Sequence, residues 1–311
     1  MSNRCPITFE PCGDVSYSME GLKRLSPKLK DFKDLELTAD QLRAEAATRP
    51  VRLSISGVQP KLSARLSIKN ETFEITTKGG HFILKPEMWG EFLETPQNEA
   101  LTMRMASVCG IDVPLHGMVY AADQSFVYFV KRFDRTGKKK LHVEDFSQLL
   151  GLGREDKYNV SLERAISALD HCSFPFMEKQ AFYRRVVFNY LVGNEDAHLK
   201  NWSLITDAEG VVRLSPAYDL MNSAIVTNSG EETALTLNAR KNRIRLDDLT
   251  RYLGEERLGL SPKVISEVLI QIDQAISTWH TMVEHSFLSD TMKKSYREYL
   301  DSKVAVLLAG P

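Results

Sequence analysis

Between Val51 and Phe133 the chain breaks into short runs dense in β-branched and aromatic residues, and after Asp134 that pattern gives way to long helical periodicity. A chain that changes its hydrophobic period once, near its middle, must place a sheet and a helical assembly side by side in sequence. The runs Val51–Val58, Lys61–Ile68, Thr72–Thr77 and His81–Pro86 are parted by Gly57-Val-Gln-Pro60, Lys69-Asn-Glu71 and Lys78-Gly-Gly80. This spacing predicts an antiparallel meander. A helix follows, with Thr95 as its N-cap, Pro96 at the first helical position and Gly110 as its stop. Two further strands, His116–Tyr120 and Ser125–Phe133, are joined by the turn Ala121–Gln124.

Beyond Asp134 the candidate helices are Val143–Leu150, Ser161–Asp170 and Phe176–Val192, the last with Phe182, Val186 and Tyr190 recurring every fourth residue. A hairpin, Ser203–Thr206 and Val211–Ser215 around Asp207-Ala-Glu-Gly210, interrupts them. Two long helices close the chain, Pro262–Phe287 and Ser289–Leu308, the second opening on a Ser-Asp cap. The stripe Val264, Val268, Ile272 and Ile276 reads as a core-facing face. The first fifty residues mix turn formers with a short helix between Leu37 and Thr48. The expected class is α+β and bilobal, with a β-rich N-lobe over residues 1–134 and a mainly helical C-lobe over 135–311.

Composition narrows the function. A length of 311 residues fits about two domains. Forty Lys and Arg against 41 Asp and Glu argue against a globally basic nucleic-acid binder. The short basic runs at Lys138–Lys140 and Lys241–Arg245 read as solvated faces. No apolar run reaches the ~20 residues of a membrane helix and the first residues lack a signal-peptide core, so a cytoplasmic protein without membrane association is expected. Four scattered cysteines (Cys5, Cys12, Cys109, Cys172) form neither a disulfide framework nor a zinc set, and reduced thiols are expected.

The densest chemical signal is Gly193-Asn-Glu-Asp196-Ala-His198-Leu-Lys200-Asn201, with Ser215-Pro-Ala-Tyr218-Asp219 downstream. An acid, an amide five positions later and a second acid beyond a hairpin are what phosphoryl transfer from Mg-ATP uses. One Asp orients or deprotonates the acceptor hydroxyl, and the Asn and the later Asp offer hard oxygens to Mg²⁺. Ordinary turn chemistry and a helix cap account for the same residues, so this motif alone does not decide. Phe82-Ile-Leu-Lys85-Pro86 sets a lone lysine on an apolar strand, with Glu99 on the next helix. This is either a phosphate-holding ion pair or an edge-strand lysine reaching water beside a solvated glutamate. Lys131-Arg132-Phe133 is either an adenine-binding hinge or a plain strand end. Ser54-Ile-Ser56-Gly57-Val58-Gln59-Pro60-Lys61 carries one glycine, so it matches neither phosphate-loop consensus; it is a hairpin loop or a phosphate cradle built on backbone N–H groups and Lys61.

Taken in order, Ser54–Lys61, Phe82–Pro86, Asn98-Glu99-Ala, Val130–Arg135, Glu144-Asp-Phe, Asn194–Asn201 and Pro216–Asp219 resemble the HipA family, the bacterial serine/threonine-kinase toxins of toxin–antitoxin systems. The core is also similar, more distantly, to phosphoinositide-kinase-like folds. The resemblance implies a protein-kinase-like fold, ATP and Mg²⁺ as cofactors, Asp196 as catalytic base, and Asn201 and Asp219 as metal ligands. It places Lys85 on the phosphates, and Ser56, Gly57, Val58, Gln59, Pro60 and Lys61 in the phosphate loop. Lys131, Arg132 and Phe133 become the adenine hinge, and His198, Leu199, Lys200 and Tyr218 further nucleotide contacts. Ser54 matches the family's autophosphorylated serine, and Ser56 is a second candidate in this chain.

Only about fifty residues precede the loop motif, which is similar to the short HipT form of three-component systems. That form implies a small HipS-like antitoxin, a HipB-like helix-turn-helix antitoxin that contacts DNA, and an aminoacyl-tRNA synthetase as substrate, tryptophanyl- rather than glutamyl-. A phosphoserine in the loop adds about −1.5 to −2 charge beside a triphosphate and would act as a self-inactivating switch. Two other readings stand beside this one: a small-molecule kinase using the same residues, and a catalytically inactive nucleotide-binding interaction module.

Overall fold

The computed structural model describes residues 3–48, 59–88, 90, 94–137, 139–153, 155–227 and 229–308. The expected strand Val51–Val58, and with it Ser54, Ser56, Gly57 and Val58, lies outside them. The chain divides into two units: Met1–Ala100 with Pro114–Lys138 and His285–Leu288, and Leu101–Val113 with Lys139–Glu284 and Ser289–Pro311.

The first unit opens with helices α1 (Met19–Leu25) and α2 (Ala39–Thr48) and continues into strands β1 (Leu62–Ser67), β2 (Thr72–Ile75) and β3 (Phe82–Pro86). Helix α3 (Thr95–Val108) follows, then β4 (His116–Tyr120) and β5 (Phe126–Lys131). The five strands form one antiparallel sheet in the order β2-β1-β3-β5-β4. The expected meander is therefore corrected. Strand β1 lies between β2 and β3 and pairs with both. Gly80, just before β3, packs tightly on β1: a Cβ there would stand 3.1 Å from the Ala64 carbonyl oxygen.

Every residue of β3 is buried, as a central strand requires. One sheet face is sealed by Phe32, Phe73, Phe82 and Phe129, with ring centroids 4.8 Å apart for Phe73–Phe82 and 5.3 Å for Phe73–Phe129. Burying each such side chain contributes about 1.5–3 kcal/mol. Helix α3 starts one residue earlier than the capping pattern predicts. The Thr95 hydroxyl is buried without a hydrogen-bond partner, and the Asn98 N–H donates to the Glu94 carbonyl.

Two short strands follow in sequence, β6 (Arg135–Thr136) at the end of the first unit and β7 (Lys139–Lys140) at the start of the second. Strand β8 (His142–Asp145) leads into the short helices α4 (Phe146–Leu149) and α5 (Leu162–Ile166), and α6 (Pro175–Val192) is the long central helix. Strands β9 (Ser203–Thr206) and β10 (Val212–Leu214) form the expected hairpin, extended by β8 into a three-stranded sheet. The expected helix Val143–Leu150 is thus a strand followed by one helical turn. Asp145 ends the strand and caps the helix, accepting from the Gln148 N–H while the Gln148 side chain returns to the Asp145 N–H. The expected helix over Ser161–Asp170 is α5 continued by a 3-10 turn, Ser167–His171.

Helices α7 (Ala224–Thr227), α8 (Pro262–His285) and α9 (Asp290–Leu308) complete the unit, with a π-helical stretch at Asp248–Arg257. Phe182, Val186 and Tyr190 of α6 are buried as their spacing predicts. On α8 the buried line runs through Ile265, Val268, Ile272, Ala275, Trp279 and Val283, while Val264 and Ile276 are half-buried at its margin. Ser289 caps α9, its hydroxyl accepting from the Met292 N–H. All four cysteines are free, and three of them are buried. Among the described residues, no helix is long and apolar enough to cross a membrane.

Candidate active site

In the first unit, Lys85 and Glu99 meet. The Lys85 Nζ lies 2.6 Å from Glu99 Oε1, and each side chain is only 3% exposed. Strand β3 supplies the lysine and the second turn of α3 the glutamate. The Tyr128 ring, directly across from Lys85 on β5, has its centroid 5.4 Å from the ammonium. The edge-strand alternative is overturned: β3 is an inner strand and Lys85 does not reach water. Lys61 is also buried, at the start of β1, and Gln59 and Pro60 before it are half-buried.

At the expected hinge, the Lys131 N–H donates to the Leu115 carbonyl and the Arg132 N–H to the His81 carbonyl. Both amides are spent within the unit. The Arg132 guanidinium grips Asp134 through two bonds of 2.9 and 2.8 Å, and Arg135 reaches the same carboxylate. The side chain of Lys131 is exposed and that of Phe133 half-buried.

In the second unit, α6 ends at Gly193, whose φ of +70° turns the chain into the Asn194–Asn201 loop. A Cβ there would lie 2.7 Å from Asn222 Oδ1 and 2.7 Å from Tyr299 Cε1, so glycine is required twice over. The five-residue spacing between Asp196 and Asn201 has a local cause. The Asn201 side-chain amide donates to the Asp196 carbonyl at 2.8 Å, closing the loop on itself. The His198 N–H also donates to that carbonyl at 2.7 Å, and the Asn201 N–H donates to the His198 carbonyl at 2.8 Å. Trp202, buried against Phe146 and Phe182, anchors the loop from below by donating its indole N–H to the Ala197 carbonyl at 3.0 Å.

With its amide nitrogen so used, Asn201 keeps its side-chain oxygen buried and, among the described residues, without a hydrogen-bond partner. The Asp196 carboxylate is 49% exposed and receives the Tyr158 hydroxyl on Oδ1. His198 Nε2 stands 3.9 Å from the same oxygen. Burial holds the His198 imidazole below its usual range, against the pull of the Asp196 and Asp219 carboxylates. Asp219 adopts φ +54°, a left-handed conformation that aspartate tolerates better than most residues.

Two of the expected nucleotide contacts serve the scaffold. The Tyr218 hydroxyl donates to the Lys200 carbonyl at 3.0 Å and accepts from the Ser203 hydroxyl at 2.5 Å. Leu199 is fully buried, so only its backbone can meet a ligand. Lys200 is half-buried and acts electrostatically on Asp145, whose carboxyl burial pushes up. The Glu144-Asp-Phe and Asn194–Asn201 motifs contain Asp145 and Glu195 without a role for either, and Glu195 accepts from Ser229 at 2.6 Å. Sequence reasoning missed Tyr158, for which no local signal exists.

The donor set can be tested for a divalent cation. Among the described residues, no group of three His, Cys, Asp or Glu gathers as a metal cage. Magnesium needs none: it takes one or two carboxylates and completes its shell with water and phosphate oxygens. A buried, unpartnered amide oxygen at Asn201 and the acid Asp219 fit that habit.

Fold, loop closure and motif order define one class of protein. The chain matches the HipA-like C-terminal domain model over residues 53–279 and belongs to that family. A Haemophilus influenzae protein named "Putative kinase" is 29% identical over 96% of both chains. The Shewanella oneidensis serine/threonine-protein kinase toxin HipA is 29% identical over 72% of this chain and 56% of its own length. The Shewanella oneidensis HipA solved with HipB and operator DNA superposes with a TM-score of 0.68 at 24% identity, covering 90% of this chain and 72% of that one. The α+β, HipA-like kinase fold expected from the sequence is the fold found.

Proposed function

We propose that this chain is an ATP-dependent protein kinase that transfers the γ-phosphoryl group to serine or threonine hydroxyls. The observation that carries the reading is the closed Asp196–Asn201 loop. It presents a half-exposed carboxylate and leaves the Asn201 amide oxygen buried with no hydrogen-bond partner among the described residues. Asp196 orients the acceptor hydroxyl and takes its proton. Asn201 and Asp219 would hold Mg²⁺, which when bound neutralises charge building on the phosphates. Lys85, fixed by Glu99, is assigned to the phosphates, together with Lys61 and the Ser56–Pro60 loop. Lys131–Phe133 is assigned to adenine, and His198 and Lys200 to the nucleotide.

The substrate and partners rest on the family resemblance. We assign an aminoacyl-tRNA synthetase as the acceptor, tryptophanyl- before glutamyl-, so that the kinase acts as a translation-blocking toxin in the cytoplasm. A small HipS-like protein and a HipB-like DNA-binding protein are its antitoxins, the latter consistent with the HipB and operator DNA in the related Shewanella complex. Ser54 and Ser56 are the assigned autophosphorylation sites.

Incubating the protein with Mg-[γ-³²P]ATP and bacterial lysate tests the reading. Labelled protein bands dominated by a synthetase, labelled kinase, and loss of both on Asp196→Asn are expected. Label confined to metabolites would instead establish a small-molecule kinase, and absence of any label an inactive module.

A further inference from the structure

The Asp196 carboxylate already receives a hydroxyl, and the donor is built into the protein. Tyr158 ends a 3-10 turn, Glu155–Tyr158, and donates its phenol O–H to Asp196 Oδ1. The ring is held from several sides. His198 packs edge-on against it at 5.0 Å and 77°. The Lys157 ammonium lies 4.6 Å from the ring centroid and the Lys241 ammonium 6.0 Å. The turn itself is tied down, with the Gly153 N–H donating to Asp156 Oδ2 at 3.1 Å and the Asn159 N–H to the Asp156 carbonyl at 3.0 Å. A side chain fixed in this way is a poor plug, since leaving would forfeit the bond to Asp196 and the ring contacts with His198, Lys157 and Lys241. It is well suited to holding its partner still.

We infer that Tyr158 is a positioning residue for the proposed phosphoryl transfer. Its hydroxyl commits Asp196 Oδ1, fixes the carboxylate's rotation, and leaves Oδ2 as the oxygen that meets the acceptor. A carboxylate free to rotate about its Cβ–Cγ bond spreads its lone pairs over many orientations, only some of which point at an incoming hydroxyl. A charge-assisted hydrogen bond removes that freedom before substrate arrives. The role calls for the hydroxyl and not the ring, which separates it from simple packing. It rests on the assignment of Asp196 as the group facing the acceptor.

The test uses the full chain with Tyr158→Phe, which keeps the ring, and Tyr158→Leu, which removes it. With Tyr158→Phe, kcat for the protein acceptor falls about 10- to 100-fold, the scale of a lost hydrogen bond to a charged group, while KM for acceptor and for ATP stays within about twofold. Tyr158→Leu shows the same kcat defect plus a lower Tm. Full activity in Tyr158→Phe would reduce Tyr158 to packing and overturn the inference; a raised kcat or lowered acceptor KM would make it a competitor of the acceptor and overturn it as well. A cycle of Tm values over Tyr158→Phe, Asp196→Asn and the double variant reads the contact without any activity, and additive shifts would refute it. Non-additive shifts in a wild-type protein that transfers no phosphate would instead fault the kinase reading and take the positioning role with it.

Discussion

Lys85 and Glu99 form an ion pair of 2.6 Å in which neither side chain is more than 3% exposed. Desolvating both charges costs about as much as their attraction returns, so the pair is weak evidence for stability as such. Removing one partner is another matter, because it takes the counter-charge at 2.6 Å from a group that stays buried. Glu99→Leu should lower unfolding free energy by about 3–5 kcal/mol, read by urea denaturation. Adding Lys85→Met to that variant should recover most of the loss and leave nucleotide binding abolished. Recovery of binding together with stability would mean that Lys85 serves the core alone.

Asn201 separates a structural role from a ligand role through its two side-chain atoms. The nitrogen closes the loop on the Asp196 carbonyl, and the oxygen is left buried and unpaired. Asn201→Ala should cost about 1 kcal/mol of stability for the lost hydrogen bond. It should also weaken Mg-ATP binding at least about tenfold, roughly 1.4 kcal/mol, by calorimetry. In EDTA the same variant should bind ATP as the parent does, because the penalty acts through the cation. An equal penalty with and without magnesium would remove Asn201 from the metal shell.

These residues also show how far the sequence could be read. The change from short β-rich runs to helical periodicity gave the α+β order, and Phe182, Val186 and Tyr190 gave the buried face of α6. The Asp196–Asn201 spacing was legible because the cause is local, an amide reaching back five residues. What stayed hidden depends on distant partners. Strand order could not be read, since β1 pairs with both β2 and β3 and the close approach of Gly80 to Ala64 is set by folding alone. Val143–Asp145 has apolar and acidic residues that suit a helix, and only pairing with β9 makes them a strand. Tyr158 sits 38 residues before Asp196 and is joined to it by folding alone.

His198 gives the site a pH signature. The imidazole is nearly fully buried and its Nδ1 has no hydrogen-bond partner among the described residues, so protonation there would add a buried N–H that none of them receives. Burial therefore lowers its pKa, Lys157 adds to the effect, and the Asp196 and Asp219 carboxylates oppose it. A histidine depressed in the folded state takes its proton first in the unfolded chain, near pH 6.5. Between that pH and the lower folded value the unfolded state binds more protons, so stability rises with pH across the window and falls on acidification. Above about pH 6.5 the group contributes nothing further. Replacing it by His198→Asn should flatten the acid side of the Tm-versus-pH curve below about pH 6.5 relative to the parent, leaving the curves parallel above that pH. Curves that remain parallel at every pH would show that the buried imidazole keeps its ordinary proton affinity.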